Sequence, residues 1–201
     1  MFAGTTLFDE KIFSSFYGTL FTLANAWERY VDIDEYKDRP INYLEIGAFH
    51  GANAISVAYS YASHPESKLH LIDPWEDYSE YPEYKGEQEE NYKKFIHNIE
   101  NSGVKEKMVV HRGYSKDKVP SFQDEYFDII YIDGNHKPEA VLEDAVLSFR
   151  KLKHEGIMIF DDYGWGGPDL TQRGIDAFVS GYYKQITCTI KHNEQLFIRK
   201  R

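Results

Sequence analysis

An open α/β sheet, mostly parallel, with helices on both faces and an antiparallel hairpin at one edge, is the fold class that three features of the sequence predict. From residue 41 onward, short apolar runs alternate with amphipathic stretches, the pattern of successive strand–helix–strand units. Two final runs sit close enough together to form a hairpin. The length of 201 residues with 42% apolar and 16% aromatic content suits one sizeable core rather than several small ones.

Each element has its own justification. Five runs read as parallel strands: Asn42 to Ile46, Lys68 to Ile72, Met108 to His111, Phe127 to Ile132 and Ile157 to Phe160. The stretches between them carry one apolar stripe each. Ala54, Val57, Ala58 and Tyr61 form the first; Tyr92, Phe95, Ile96 and Ile99 the second; Val141, Leu142, Ala145, Val146, Phe149 and Leu152 the third. Pro138 opens the third helix, where a missing N–H costs nothing. Ile186 to Ile190 and Gln195 to Ile198 flank His192-Asn193-Glu194 as the closing hairpin, which makes seven strands in all. Ahead of the sheet, Phe13, Phe16, Tyr17, Leu20, Phe21, Ala24 and Trp27 recur at helical spacing. Residues 1–38 are therefore expected as an accessory helix and residues 39–201 as the catalytic core of a single domain.

Charge and cysteine content exclude several classes. Lys plus Arg number 23 against 33 Asp plus Glu, a net charge of -10, which argues against nucleic acid as a partner. The single Cys188 rules out an internal disulfide and a cysteine-built zinc site, and suits a reducing, cytoplasmic setting. No apolar run approaches the length of a membrane span, and residues 1–20 lack the pattern of a secretion signal. A homodimer, with the N-terminal helix packed on a second subunit, is left open.

Parallel strands end on a common rim, and ligands of open α/β sheets bind beyond it. The residues at that rim are Glu45, Asp73, Asp133, Asp161 and Asp162. Two carboxylates ~4 Å apart repel by roughly 4 kcal/mol at an effective dielectric of 20, so five on one edge call for protons or cations. The turn Glu45-Ile46-Gly47-Ala48-Phe49-His50-Gly51 opens a helix and lets a ligand approach the backbone. It departs from the dinucleotide pattern G-x-G-x-x-G, and an acid two residues before the first glycine is a poor neighbour for a pyrophosphate. It is a good one for a sulfonium or ammonium. Asp73, 22 residues beyond Gly51 (73−51), stands where a carboxylate accepts from ribose hydroxyls. Carboxylates with neither cysteine nor clustered His select a hard ion, Mg²⁺ first, with Mn²⁺ or Ca²⁺ next. The acidic, tyrosine-rich patch Trp75 to Tyr84 and the glycine-flanked Trp165 follow this rim, as a lid and as a wall of an acceptor pocket.

Glu45-x-Gly47-x-x-x-Gly51, Leu71-Ile72-Asp73-Pro74-Trp75, Tyr131-Ile132-Asp133-Gly134-Asn135-His136 and Ile159-Phe160-Asp161-Asp162-Tyr163, in this order, resemble the successive motifs of class I S-adenosylmethionine-dependent methyltransferases. The chain looks most like their metal-dependent O-methyltransferase branch, with macrocin-type sugar enzymes nearer than catechol and caffeoyl-CoA enzymes. The resemblance covers about residues 41 to 200 and implies a Rossmann-like sheet. By that resemblance Glu45, Gly47 and Gly51 line the methionine half of the cofactor, with Asp133 beside them. Asp73 holds the ribose, and Trp75 and Ser115 meet the adenine. Asp133, Asp161 and Asp162 bind the divalent ion. Asn135 stands where some sugar enzymes carry an Asp base. His136, three residues after Asp133, is the preferred base here, because an imidazole titrates near neutral pH. The expected acceptor is a hydroxyl of a small vicinal diol, a sugar or glycoside, with a catechol as the alternative. A nicotinamide-dependent oxidoreductase and a non-catalytic module that binds S-adenosylmethionine are the other readings.

Overall fold

The computed structural model describes residue 27 and residues 30–78, 85–192 and 194–201, the side chains of Cys188 and His192 excepted. The expected N-terminal helix over Phe13 to Ala24 and the second half of the tyrosine-rich patch lie outside the described residues.

The chain runs β1 (Asn42–Ile46), α1 (Ala52–Tyr59), β2 (Lys68–Asp73), α2 (Gln88–Asn101), β3 (Met108–Arg112), α3 (Ser115–Lys118), β4 (Phe127–Ile132), α4 (Pro138–Lys151), β5 (Leu152–Phe160), α5 (Thr171–Tyr182), β6 (Ile186–His192) and β7 (Gln195–Lys200). The seven strands form one sheet in the order β3-β2-β1-β4-β5-β7-β6. The first five are mutually parallel, and β7 enters antiparallel between β5 and β6. A dinucleotide-binding sheet ends 4-5-6 with all strands parallel, so the inserted β7 sets this fold apart from it.

Side-chain alternation sorts each strand between two cores. Tyr43, Leu69, Leu71, Ile129, Tyr131, Ile157 and Ile159 face α1 and α2, where Ala54, Val57, Phe95 and Ile99 cover them. Leu44, Ile46, Ile72, Ile130, Ile132, Met158 and Phe160 face α4 and α5, covered by Val141, Ala145, Phe149, Ile175 and Phe178. With both faces covered, β4 is buried along its whole length, which explains its continuous apolar run. Trp27 is fully buried against Tyr61 and Tyr131, so the segment ahead of the sheet contributes to the first core.

Two elements differ from the sequence reading. Leu152, placed there in the helix stripe, is the first residue of β5, which starts five residues before Ile157. The strand is disguised because Lys153, His154 and Glu155 lie at a register shift opposite Phe127 and Ile129 and stay at least partly exposed, Glu155 with φ +59°. Helix α5 was not anticipated at all, since Gly174 and Gly181 interrupt its stripe of Ile175, Phe178, Val179 and Tyr182. At Gly174 a methyl group would meet the Pro138 carbonyl oxygen at 2.5 Å, so a side chain there would hold α5 off α4. No helix among the described residues is long and apolar enough to cross a membrane.

Candidate active site at the carboxyl rim

The parallel register aligns the ends of β1, β2, β4 and β5, and all five expected carboxylates stand on that rim. Gly47 fixes the spacing between two of its loops. Its φ is +89°, and a Cβ there would lie 1.8 Å from the carbonyl oxygen of Asp133. The turn after β1 is thus pressed against the turn after β4, with Gly47 N–H donating to the Ile72 carbonyl and Asp133 N–H to that of Ile46, both at 2.9 Å. Backbone crowding demands this glycine whether or not a ligand is present. Gly51 adopts φ +77° ahead of α1, where a Cβ would meet only the Phe95 ring and the tip of Ile99.

Glu45 projects onto the α1 side of the sheet, 2% exposed. Tyr43 donates to its Oε2 at 2.6 Å and Asn53 Nδ2 at 2.9 Å. Burial nevertheless raises the Glu45 carboxyl to about 7, with the nearby Asp73 adding to the effect. A cation arriving beside it would favour the ionised form.

Asp73 accepts two backbone N–H bonds, from Phe49 at 2.9 Å and from Trp75 at 2.7 Å, which tie the loops after β1 and β2 together. Carboxylate oxygens have lone pairs to spare after these bonds. Trp75 is placed differently from the reading that set it beside an adenine. Its φ of +44° and the bond from its N–H to Asp73 turn the indole under α2. There it packs on Tyr92 and Phe95, donates from Nε1 to the Phe49 carbonyl and is 2% exposed. It forms part of the core beneath the rim rather than an open platform. Ser115 begins α3 just beyond β3, half-buried, and its hydroxyl donates to Asp144 Oδ1 at 2.5 Å.

On the other side of the rim, donor atoms of Asp133, His136 and Asp162 lie within 4.8 Å of one another. His136 Nε2 is 2.9 Å from Asp162 Oδ2. Asp162 holds φ +55°, and its carbonyl accepts from the Thr171 hydroxyl. The group contains His136 where the sequence reading had Asp161. Asp161 stands next to Asp133 with both oxygens engaged, one by the Tyr131 hydroxyl and the other by Gln195 Nε2 at 3.2 Å. Burial pushes the Asp133 carboxyl well above the ordinary carboxylate range, and Asp161, Asp162, Glu45 and Asp73 push it further. Such a cluster gains from a bound cation. Hard ions sit about 2.0–2.6 Å from oxygen ligands, so one ion spans donors up to roughly 4–5 Å apart, and the Asp133, His136, Asp162 set fits.

Trp165, 39% exposed, lies with its ring 4.8 Å from that of His136. His50 and His111, read from the sequence as structural, are engaged away from this cluster: His50 Nε2 lies 3.1 Å from Asn91 Oδ1, and His111 Nε2 lies 3.0 Å from His70 Nδ1. Asp144, Tyr131, Asn53 and Gln195 were missed by the sequence reading. Each belongs to an element interior or a strand start, and only the folded chain brings it to the rim.

Comparison with known proteins agrees with this geometry. Residues 44–163 match a family defined as a methyltransferase domain. No curated protein matches the chain. Among solved structures, the O-methyltransferase TomG of Streptomyces achromogenes, in complex with S-adenosylmethionine (SAM), superposes with TM-score 0.65 at 18% identity, over 96% of this chain and 86% of that one. The O-methyltransferase NovP gives 0.63 at 15%, over 81% and 73%. MycE, a methyltransferase of mycinamycin biosynthesis in complex with Mg, SAH and mycinamycin VI, gives 0.63 at 15%, over 98% of this chain but 54% of its own, so this chain spans about half of MycE. The chain belongs to the methyltransferase-domain family and has the Rossmann-like fold of the S-adenosylmethionine-dependent O-methyltransferases.

Proposed function

We propose that the protein transfers a methyl group from S-adenosylmethionine to a hydroxyl of a small vicinal diol, a sugar or glycoside, with the help of a divalent ion. One observation carries this reading: Asp133, His136 and Asp162 converge within 4.8 Å on the same rim as the Glu45–Gly51 turn, so donor and acceptor sites adjoin. The TomG and MycE complexes support the donor, and MycE supports Mg²⁺.

In this reading Glu45, Gly47 and Gly51 receive the methionine part of the donor, with Asp133 beside them. Asp73 accepts from the ribose hydroxyls and Ser115 meets the adenine. Asp133 and Asp162 hold the ion, with Asp161 fixed beside them by Tyr131 and Gln195, in the way hydrogen bonds orient ligating carboxylates. When bound, the ion acidifies and orients the acceptor hydroxyl. His136, oriented by Asp162, takes the proton released by the attacking hydroxyl. Trp165 offers an apolar face to the body of the acceptor. Because methyl transfer is an in-line displacement, alignment and electrostatics supply most of the acceleration. A net charge of -10 favours a small-molecule or glycan acceptor over nucleic acid.

The test is transfer of labelled methyl from S-adenosylmethionine to a panel of sugars, glycosides and catechols, with chelator and with Mg²⁺ restored. Turnover on a diol that stops in chelator and returns with Mg²⁺ is the expected result. Full activity in chelator removes the ion from the reaction, and donor binding without turnover on any acceptor leaves a binding module.

A further inference from the structure

Helix α5 starts at the rim without a side-chain cap, since Leu170 stands at its N-cap. The hydroxyl next in line, on the buried Thr171, donates to the carbonyl of Asp162, nine residues back. A hydroxyl at a helix start ordinarily serves the helix's own N–H groups. Here it serves the rim. Asp162 holds φ +55°, a left-handed conformation that an L-residue keeps only where its surroundings impose it. The loop beyond it is too soft to do so, because three of the next five residues are glycine, Gly164, Gly166 and Gly167, each at positive φ. Two donors fix the Asp162 carbonyl: the Trp165 N–H at 2.9 Å and the Thr171 hydroxyl. The first belongs to that soft loop. The second belongs to a helix anchored in the core by the fully buried Ile175 and Phe178.

The same turn of α5 also presses on the other half of the site. Gly174 lies three residues after Thr171, the spacing of neighbours on one helix face. A Cβ there would stand 2.5 Å from the Pro138 carbonyl oxygen and 2.9 Å from Val141 Cβ. Pro138 is the first residue of α4 and follows His136 by two positions. One turn of one helix thus braces the backbone at Asp162 and the backbone just beyond His136. The side chains of these two residues meet with Nε2 and Oδ2 at 2.9 Å.

We infer that the first turn of α5 is a clamp that sets the spacing of His136 and Asp162, in which Thr171 is the positioning residue for Asp162 and Gly174 lets the turn close on α4. The inference rests on the reading of Asp162 as a holder of the ion, and adds the support that keeps it in place. Without the Thr171 hydroxyl, the Asp162 carbonyl keeps only a bond from within the glycine-rich loop. Rotation there swings the carboxylate out of the 4.8 Å set that it forms with Asp133 and His136. A side chain at Gly174 acts from the other end. It lifts α5 by about 0.9 Å (3.4−2.5) to restore an ordinary contact with the Pro138 carbonyl, and carries Asp162 with it.

The test is calorimetric titration of Mn²⁺ into the full chain loaded with S-adenosylhomocysteine, using wild type, Thr171→Val, Thr171→Ser and Gly174→Ala, with the thermal unfolding and S-adenosylhomocysteine affinity of each. Valine keeps the shape of threonine without its hydroxyl, and serine keeps the hydroxyl. Thr171→Val should weaken Mn²⁺ binding at least about tenfold, as loss of a group that orients a ligand does, while Thr171→Ser stays within about threefold of wild type. Gly174→Ala should weaken Mn²⁺ in the same direction, with the affinity for S-adenosylhomocysteine held in all three variants. A hydroxyl that served only the start of α5 would lower Tm and leave Mn²⁺ affinity unmoved, and that result overturns the inference. A serine variant as weak as the valine one overturns it too. Where Gly174→Ala does not fold, the valine and serine variants decide. Crystal structures of wild type and Thr171→Val give a readout that needs no ion: the separation of His136 from Asp162 should widen in the variant, and an unchanged separation overturns the clamp. Wild type that binds no Mn²⁺ strikes instead at the ion, and the clamp then stands or falls on those two structures.

Discussion

Replacing Gly47 by alanine should damage both the fold and the site, and the structure sets the size of the effect. The new Cβ would start 1.8 Å from the Asp133 carbonyl oxygen, against an ordinary contact of 3.4 Å, so one turn must move by about 1.6 Å (3.4−1.8). An L-residue held at φ +89° costs about 1–2 kcal/mol. The bonds from Gly47 to Ile72 and from Asp133 to Ile46 lie at the point of displacement, each contributing about 1 kcal/mol net. The loss is therefore about 3–4 kcal/mol, and at about 2–4 °C per kcal/mol for a chain of this size Tm should fall by about 6–16 °C. Moving Asp133 by more than 1 Å should also lower kcat/KM by about a hundredfold. Gly51→Ala is the comparison: its Cβ meets the Phe95 ring at 3.1 Å, a side chain that can yield, so the cost should stay near about 1–2 kcal/mol. Thermal unfolding and methyl-transfer kinetics of both variants decide the matter. A Gly47→Ala protein with unchanged Tm and full activity would refute the claim that backbone crowding couples the turn to Asp133.

The remaining predictions concern the acid, the base and the helix pair. Glu45 has its carboxyl raised from 4.5 to about 7, so the folded state favours its protonated form. Relative stability should then fall as pH rises through 4.5 to 7, by up to about 3 kcal/mol, and Glu45→Gln should gain on wild type over that interval. Urea midpoints that run parallel for the two proteins at pH 5 and pH 8 would contradict this. His136→Ala should lower kcat by about 10²–10⁴ while metal affinity stays within a few-fold; loss of metal binding would reassign His136 from base to ligand. Gly174→Ala should cost about 1–3 kcal/mol by forcing α5 from the Pro138 carbonyl, with little change in donor affinity, as unfolding and calorimetry would show.

Much of the rim was legible in the sequence because it depends on two local regularities. Short apolar runs announced the strands and turn residues their ends; Glu45 and Asp73 stand at the ends of β1 and β2, and Asp133, Asp161 and Asp162 follow β4 and β5 directly. What stayed hidden depends on contacts distant in sequence. Trp75 looks like a ligand platform until α2 is seen to cover it with Tyr92 and Phe95. The partnership of His136 with Asp162 spans two loops, and Asp161 is held by Tyr131 and Gln195, one of which lies on the inserted antiparallel strand. Asp144 reads as an ordinary polar helix position, because nothing local shows that Ser115 lies over it. The start of β5 was obscured for the opposite reason: Lys153 to Glu155 are polar at a register shift, where alternation no longer reports burial.

Calorimetric titration of Mn²⁺ or Mg²⁺ into the protein loaded with S-adenosylhomocysteine, in wild type and in Asp133→Asn, puts the convergence at the rim to the most direct test. One saturable site in wild type, lost or weakened at least about tenfold in the variant, is the predicted outcome. No binding of either ion to wild type, or equal binding to both proteins, would contradict the account of Asp133 and its neighbours as the seat of the ion.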